Sequence, residues 1–108
     1  MVDHELDELR REFLDEAREK VEEMQSVLEA ERSNENLDRL AYLAHQLKGS
    51  GGSYGYERIS TDAAEVEKAA EVLVRGGGNP ALEARVQQHV LNLRTEIDRA
   101  ARELTVTQ

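Results

Sequence analysis

Four stretches of this chain carry apolar residues at three- and four-residue spacing, and no stretch alternates apolar with polar. That spacing lays side chains along one face of an α-helix, whereas a half-buried strand needs a period of two. The first stripe is Leu6, Leu9, Phe13, Ala17, Val21, Met24 and Leu28. It belongs to a segment running from about Asp3, a plausible N-cap, to about Glu31. Ser33-Asn34-Glu35-Asn36 interrupts the pattern and offers caps for a second segment, roughly Leu37 to Gly55. The third, roughly Glu57 to Val74, carries Ile59, Ala63, Val66, Ala70 and Leu73. Arg75-Gly76-Gly77-Gly78 ends it, glycine being common just past a helix C-terminus. Asn79-Pro80 opens the fourth with a capping residue and a proline at the first helical position. Its stripe is Leu82, Val86, Val90, Leu93, Ile97 and Leu104, and only Thr105 to Gln108 read as frayed.

Helices with short connections, each apolar on one side, bury their stripes most simply as an all-α, up-down-up-down four-helix bundle. A dimerising two-helix hairpin is the rival, but four stripes in one chain remove the need for a partner. Residues 1–108 are therefore expected to form one domain with a modest core, as a monomer. A single proline, a single phenylalanine and no tryptophan agree with helices throughout.

Charge and composition exclude several functions. Fourteen basic against 23 acidic residues give a net charge of −9, with no basic stretch to neutralise nucleic-acid phosphates. Without cysteine, disulfides and thiolate metal sites are ruled out. No apolar run reaches the roughly 18–20 residues that cross a bilayer, and the acidic N-terminus is unlike a signal peptide. The expectation is a cytoplasmic chain with no membrane partner.

Chemistry concentrates in Ala44-His45-Gln46-Leu47-Lys48-Gly49-Ser50-Gly51-Gly52-Ser53-Tyr54-Gly55. Glycine costs about 1 kcal/mol relative to alanine inside a helix, so a cluster of them there needs a reason. Wound as a helix, His45 shares a face with Asp38, Ala41, Lys48, Gly49 and Gly52, while Leu40, Leu43, Leu47 and Tyr54 lie opposite with Ser50 and Gly51 beside them. His45 then points to solvent among small residues. Lone exposed histidines are mostly plain surface residues, which is the reading for His4; His89 is expected at a core boundary. No histidine or carboxylate pairs recur with metal-ligand geometry, so no metal is expected. The phosphate-cradling pattern fails because Lys48 precedes Gly49, and the dinucleotide pattern fails at Tyr54. A glycine-rich turn ending the helix near Lys48 is the competing reading; the phase of Leu47 and Tyr54 with Leu40 and Leu43 favours a continuous helix.

The stretch resembles the motif of histidine-containing phosphotransfer (HPt) domains, A-H-x-L-K-G-S/A-S/A/G-x-x-L/F-G. The likeness continues through Ile59, Ala63, Ala64, Val66 and Glu67 and loosely back to the leading helix. Tyr54, where leucine or phenylalanine is commoner, is the main departure. The resemblance implies a four-helix bundle with His45 as phosphoacceptor. It implies Glu67, at the edge of the third stripe, as the group that orients the imidazole, and Lys48 as an ammonium for the phosphoryl oxygens. Gly49 and Gly52 would let a partner's loop approach, with Ala41 and Gln46 in the same docking surface, and Gly51 would face a neighbouring helix.

By resemblance the partners are response-regulator receiver domains, whose carrier is an aspartate, and a hybrid histidine kinase. No nucleotide motif or aspartate cluster for Mg²⁺ is present, so no cofactor and no autonomous ATP-dependent kinase activity are expected. The implied function is a phosphorelay intermediate. The alternatives are the phosphoacceptor domain of a chemotaxis-type histidine kinase and a helical adaptor without phosphate chemistry. The dimerisation helices of a sensor kinase would show His-Glu-Leu-Arg-Thr-Pro or similar, not Gln46-Leu47-Lys48-Gly49 after the histidine.

Overall fold

The computed structural model describes residues 4–106, which form four helices: α1 (His4–Glu29), α2 (Asn34–Ser53), α3 (Glu57–Val74) and α4 (Pro80–Val106). No strand occurs among the described residues. The third helix has the expected bounds at both ends. Asp3, expected to cap the first helix, lies outside the described residues. Thr105 and Val106, expected to fray, belong to α4, while residues 107–108 are also outside the described range.

Local chemistry explains several of the boundaries. α2 starts three residues before the expected Leu37 because the Ser33 hydroxyl accepts from the Asn36 N–H at 3.1 Å. Asn36 Nδ2 in turn donates to the Glu31 carbonyl at 2.8 Å, which holds the α1–α2 connection. Asn79 caps α4 as expected, its side-chain oxygen accepting from Leu82 N–H at 2.9 Å. α2 stops at Ser53 rather than Gly55, because Gly55 turns to φ +84° and forms the left-handed exit of a Schellman motif. There Tyr56 N–H bonds the Gly51 carbonyl at 2.8 Å and Gly55 N–H the Gly52 carbonyl at 3.2 Å. α3 ends the same way at Gly76, φ +79°, with Gly77 N–H on the Val72 carbonyl and Gly76 N–H on the Leu73 carbonyl.

The helices make a four-helix bundle about 51 Å long and only 19 × 18 Å across. That width holds two helices in each direction. α2 packs on α3, α3 on α4, α4 on α1 and α1 on α2, and among the described residues no Cα–Cα distance across either diagonal is within 8 Å. The core is aliphatic: Val21, Met24, Leu40, Leu47, Ile59, Val66, Leu93 and Ile97 are all at most 1% exposed. At the end of α2, Phe13 stacks on Tyr54 (centroids 5.0 Å apart) and on Tyr56 (5.8 Å), and burial pushes the Tyr56 phenol up.

One stripe is corrected. Leu9 is 46% exposed, while Leu14 and Asp7, neither in the expected stripe, are buried. Leu9 lies one turn ahead of Phe13, the α1 residue that meets the end of α2, in a segment where α1 runs past its shorter neighbour. Charged pairs tie the seams: Arg18 to Asp98, Arg32 to Glu83, and Arg39 to Glu23, whose carboxyl is held below its ordinary range by the Arg39 hydrogen bond. These pairs are exposed and each contributes little on its own.

The α2–α3 seam is closely packed at Gly51. A Cβ added to Gly51 would lie 3.2 Å from both Ile59 Cγ2 and the Ser60 backbone nitrogen, and the backbone contact cannot yield cheaply. Gly51→Ala is therefore expected to destabilise the protein by about 1–3 kcal/mol through overpacking. Gly49→Ala, where nothing lies within 4 Å, is expected to stabilise it by about 0.4–1 kcal/mol. Denaturant midpoints of the two variants check this; midpoints moving together in either direction would contradict it.

Candidate functional site

α2 continues unbroken through Lys48 and the glycines to Ser53, so the glycine-turn reading is excluded. On this helix Leu43, Ala44 and Leu47 are buried, which turns His45 outward with a side chain 68% exposed. Its Nδ1 lies 2.7 Å from Oε2 of Glu67 on α3. The second Glu67 oxygen, Oε1, lies 3.6 Å from Lys48 Nζ. One carboxylate thus spans two residues a turn apart on the neighbouring helix, and it is sheltered, at 17% exposure.

The packing of α3 explains how Glu67 arrives there. Ser60, in its first turn, donates from Oγ to the Lys48 carbonyl at 2.9 Å. Glu67 is seven residues further on, two turns down the same face. Between them come Ala63, fully buried, and Ala64, half-buried, small enough for α3 to pass close under His45. The glycine backbone at 51 makes the approach possible, as described above.

Hydrogen-bond chemistry then constrains the imidazole. An ionised carboxylate only accepts, so the 2.7 Å contact places the ring proton on Nδ1. The Nε2 lone pair is left toward solvent. A neutral imidazole with one nitrogen anchored and the other free is equipped for nucleophilic attack.

Around this pair the expected residues are distributed unevenly. Gly49 and Gly52 are exposed; an added Cβ would meet nothing at Gly49 and only Ser60 Oγ, at 3.6 Å, at Gly52. They form open ground beside His45 and Lys48. Ala41 is half-buried against the core, one turn before His45. Gln46 faces the α1 side, where its Nε2 donates to the Tyr42 hydroxyl at 2.7 Å beside Arg39 and Glu23. Tyr42, 52% exposed with the Arg39 guanidinium 5.5 Å from its ring centroid, is part of this surface and was not singled out from sequence. Its place one turn before His45 was the available signal.

Residues 8–103 match the family model of the Hpt domain, nearly the whole chain. The chain belongs to the Hpt domain family. Its members carry out histidine phosphotransfer in phosphorelay signalling, with receiver domains and kinases of two-component systems as partners. No curated protein and no solved structure matches the chain.

The other histidines of this Hpt chain lie in different settings. His4 is exposed at the start of α1. His89 is half-buried at the boundary of α4, and its Nδ1 lies 3.0 Å from Asp62 Oδ1 across the α3–α4 seam. That pairing was not legible in the sequence, since nothing local links positions 62 and 89. No group of three or more histidine, aspartate or glutamate side chains suited to a metal occurs among the described residues, and no described helix is long and apolar enough to cross a membrane.

The His45–Glu67 contact makes a spectroscopic prediction. Ring nitrogen-15 shifts of neutral His45 should show the Nδ1–H form dominant, and Glu67→Ala should return the ring to a mixture of tautomers. An unchanged tautomer balance in the variant would show that Glu67 does not hold the ring.

Proposed function

We propose that this Hpt chain is a phosphorelay intermediate that carries a phosphoryl group reversibly on His45, between aspartates of receiver domains. The observation that carries the reading is an imidazole 68% exposed whose Nδ1 is tied at 2.7 Å to a carboxylate only 17% exposed. In the forward step the Nε2 lone pair attacks the phosphorus of a receiver's aspartyl phosphate, in line with the departing carboxylate oxygen. The P–O bond breaks as the N–P bond forms, and the aspartate leaves as a carboxylate. The positive charge that develops on the ring is balanced by Glu67 through the Nδ1–H bond. Lys48, 3.6 Å from Glu67, swings its ammonium to the phosphoryl oxygens. The return step onto a second receiver's aspartate reverses each of these motions.

Gly49 and Gly52, with Ala41 and Gln46 at the margins, form the surface on which a receiver loop docks. The receiver brings the metal and the acidic cluster that the phosphoryl chemistry requires, and the kinase that starts the relay brings ATP. The helices are read as up-down-up-down, supported by partners that fall along one helix as they rise along the next. Phe13 with Tyr54 and Glu23 with Arg39 link α1 to α2, Lys48 with Ser60 and His45 with Glu67 link α2 to α3, and Arg58 with Glu96 and Asp62 with His89 link α3 to α4. A single cytoplasmic domain acting as a monomer completes the proposal.

Incubation with a phosphorylated receiver is expected to put acid-labile, base-stable label on the chain. His45→Gln should abolish the label while leaving the helical circular dichroism and melting temperature nearly unchanged, since exposed polar swaps stay within about 0.5 kcal/mol. Label persisting on His4 or His89 would contradict the assignment. Label acquired from a kinase domain but from no receiver would favour the chemotaxis-type alternative. Glu67→Ala and Lys48→Ala should each slow transfer by about ten- to a hundredfold, the worth of roughly 1.5–3 kcal/mol for a hydrogen bond to a charged group. Wild-type rates in both would leave His45 acting alone.

A further inference from the structure

Across the bundle from the α2–α3 seam, α1 and α4 leave a groove of about 560 Å³. That volume falls within the range of small-molecule sites, about 300–1,000 Å³. Leu14, 2% exposed, forms its floor with Ala101 beside it. Three guanidinium groups line it, from Arg11, Arg18 and Arg102. They are not equivalent. Arg18 is engaged, its Nη2 3.0 Å from Asp98 Oδ1. Arg11 is half-buried, and no group among the described residues accepts a hydrogen bond from its buried Nη2. Arg102 is exposed at the rim and makes no ion pair among the described residues.

Such a guanidinium is unusual. A guanidinium carries only donors and can accept from nothing. Buried donors in folded proteins are almost always matched with an acceptor, and an unmatched charged one is the most destabilising kind. Asp15, one turn along from Arg11 and in the same groove, makes no ion pair with it. Asp98 is taken by Arg18. The groove therefore holds three positive and two negative groups, a local cationic surplus on a chain of net charge −9.

We propose that this groove binds a small oxyanion, a phosphate or carboxylate group, between Arg11 and Arg102. Arg11 lines the groove from α1 and Arg102 from α4. A guanidinium carries its donors in the planar geometry that an oxyanion accepts bidentately, and Arg11 turns its buried Nη2 outward to meet the ligand. Arg18, fixed by Asp98, neutralises the carboxylate that would otherwise repel the ligand from the α4 wall. Asp15 opposes binding and sets its strength. The apolar floor accommodates a short carbon skeleton carrying the anionic group. Nothing in this site depends on the role assigned to His45.

The test is a titration of the intact chain with sodium phosphate and, separately, sodium succinate, at constant ionic strength held with sodium chloride. Backbone amide and arginine Nε–H resonances report the site. Saturable shifts are expected at residues 11–18 and 98–102, with affinity at least tenfold weaker in Arg11→Gln and in Arg102→Gln. Lys48→Ala should bind as wild type does, and Asp15→Asn should bind more tightly. Saturation by phosphate alone would assign a phosphoryl ligand, and saturation by succinate a carboxylate one. Shifts confined to the His45–Lys48 patch, no saturation with either anion, or wild-type affinity in both arginine variants would overturn the proposal. Should Arg11→Gln fail to fold, the exposed Arg102→Gln decides the matter alone.

Discussion

The close approach of α2 and α3 over Gly51 is the constraint from which the candidate site follows. A side chain at that position would have to share space with Ile59 and with the backbone of Ser60, each 3.2 Å from where its Cβ would stand. Without one, the Schellman turn at Gly55 folds α3 directly back, Tyr56 N–H reaches the Gly51 carbonyl, and Ser60 reaches the Lys48 carbonyl. Those contacts set both the spacing and the axial register of the two helices. Glu67, two turns further along α3, then comes within hydrogen-bond distance of His45. A glycine on the core side of the motif and a glutamate sixteen residues away are thus parts of one device.

Under the proposed role of His45, the same geometry reconciles two opposed demands. A nucleophile that exchanges groups with another protein must be exposed, yet a hydrogen bond that controls a proton is stronger away from water. Here the imidazole stands out from α2 while the carboxylate that holds it lies partly sheltered against α3. Glu67 also keeps Lys48 near without locking it: the 3.6 Å separation is beyond hydrogen-bond contact, and the Lys48 side chain is 48% exposed. Small residues at 49 and 52 leave the approach clear.

Much of this was legible in the chain itself, and the reasons differ by element. Periodicity located all four helices, because each buries one face, and the Asn79-Pro80 and Gly76 signals marked ends whose chemistry is local. The core orientation of Gly51 followed from helical phase alone. Phase was less reliable at the start of α1. There Leu9 stands about 140° around the helix from Leu14, off the buried face that Asp7, Leu14 and Ala17 define. The His45–Glu67 pairing was anticipated from resemblance rather than from spacing, since spacing does not say how two helices are offset along their axes. For that reason the Asp62–His89 pair and the unpartnered Arg11 were invisible: both are properties of seams, and seams are set by the packing of distant residues.

The central claim is that Glu67 reserves one ring nitrogen of His45 for a proton and leaves the other for phosphorus. Coupling between phosphorus-31 and ring nitrogen-15, recorded on the chain after phosphorylation by a receiver, measures this directly. The account predicts a single phosphorus–nitrogen bond at Nε2, with Nδ1 still protonated. Phosphorus bonded to Nδ1 would contradict it, because that nitrogen could not then donate to Glu67.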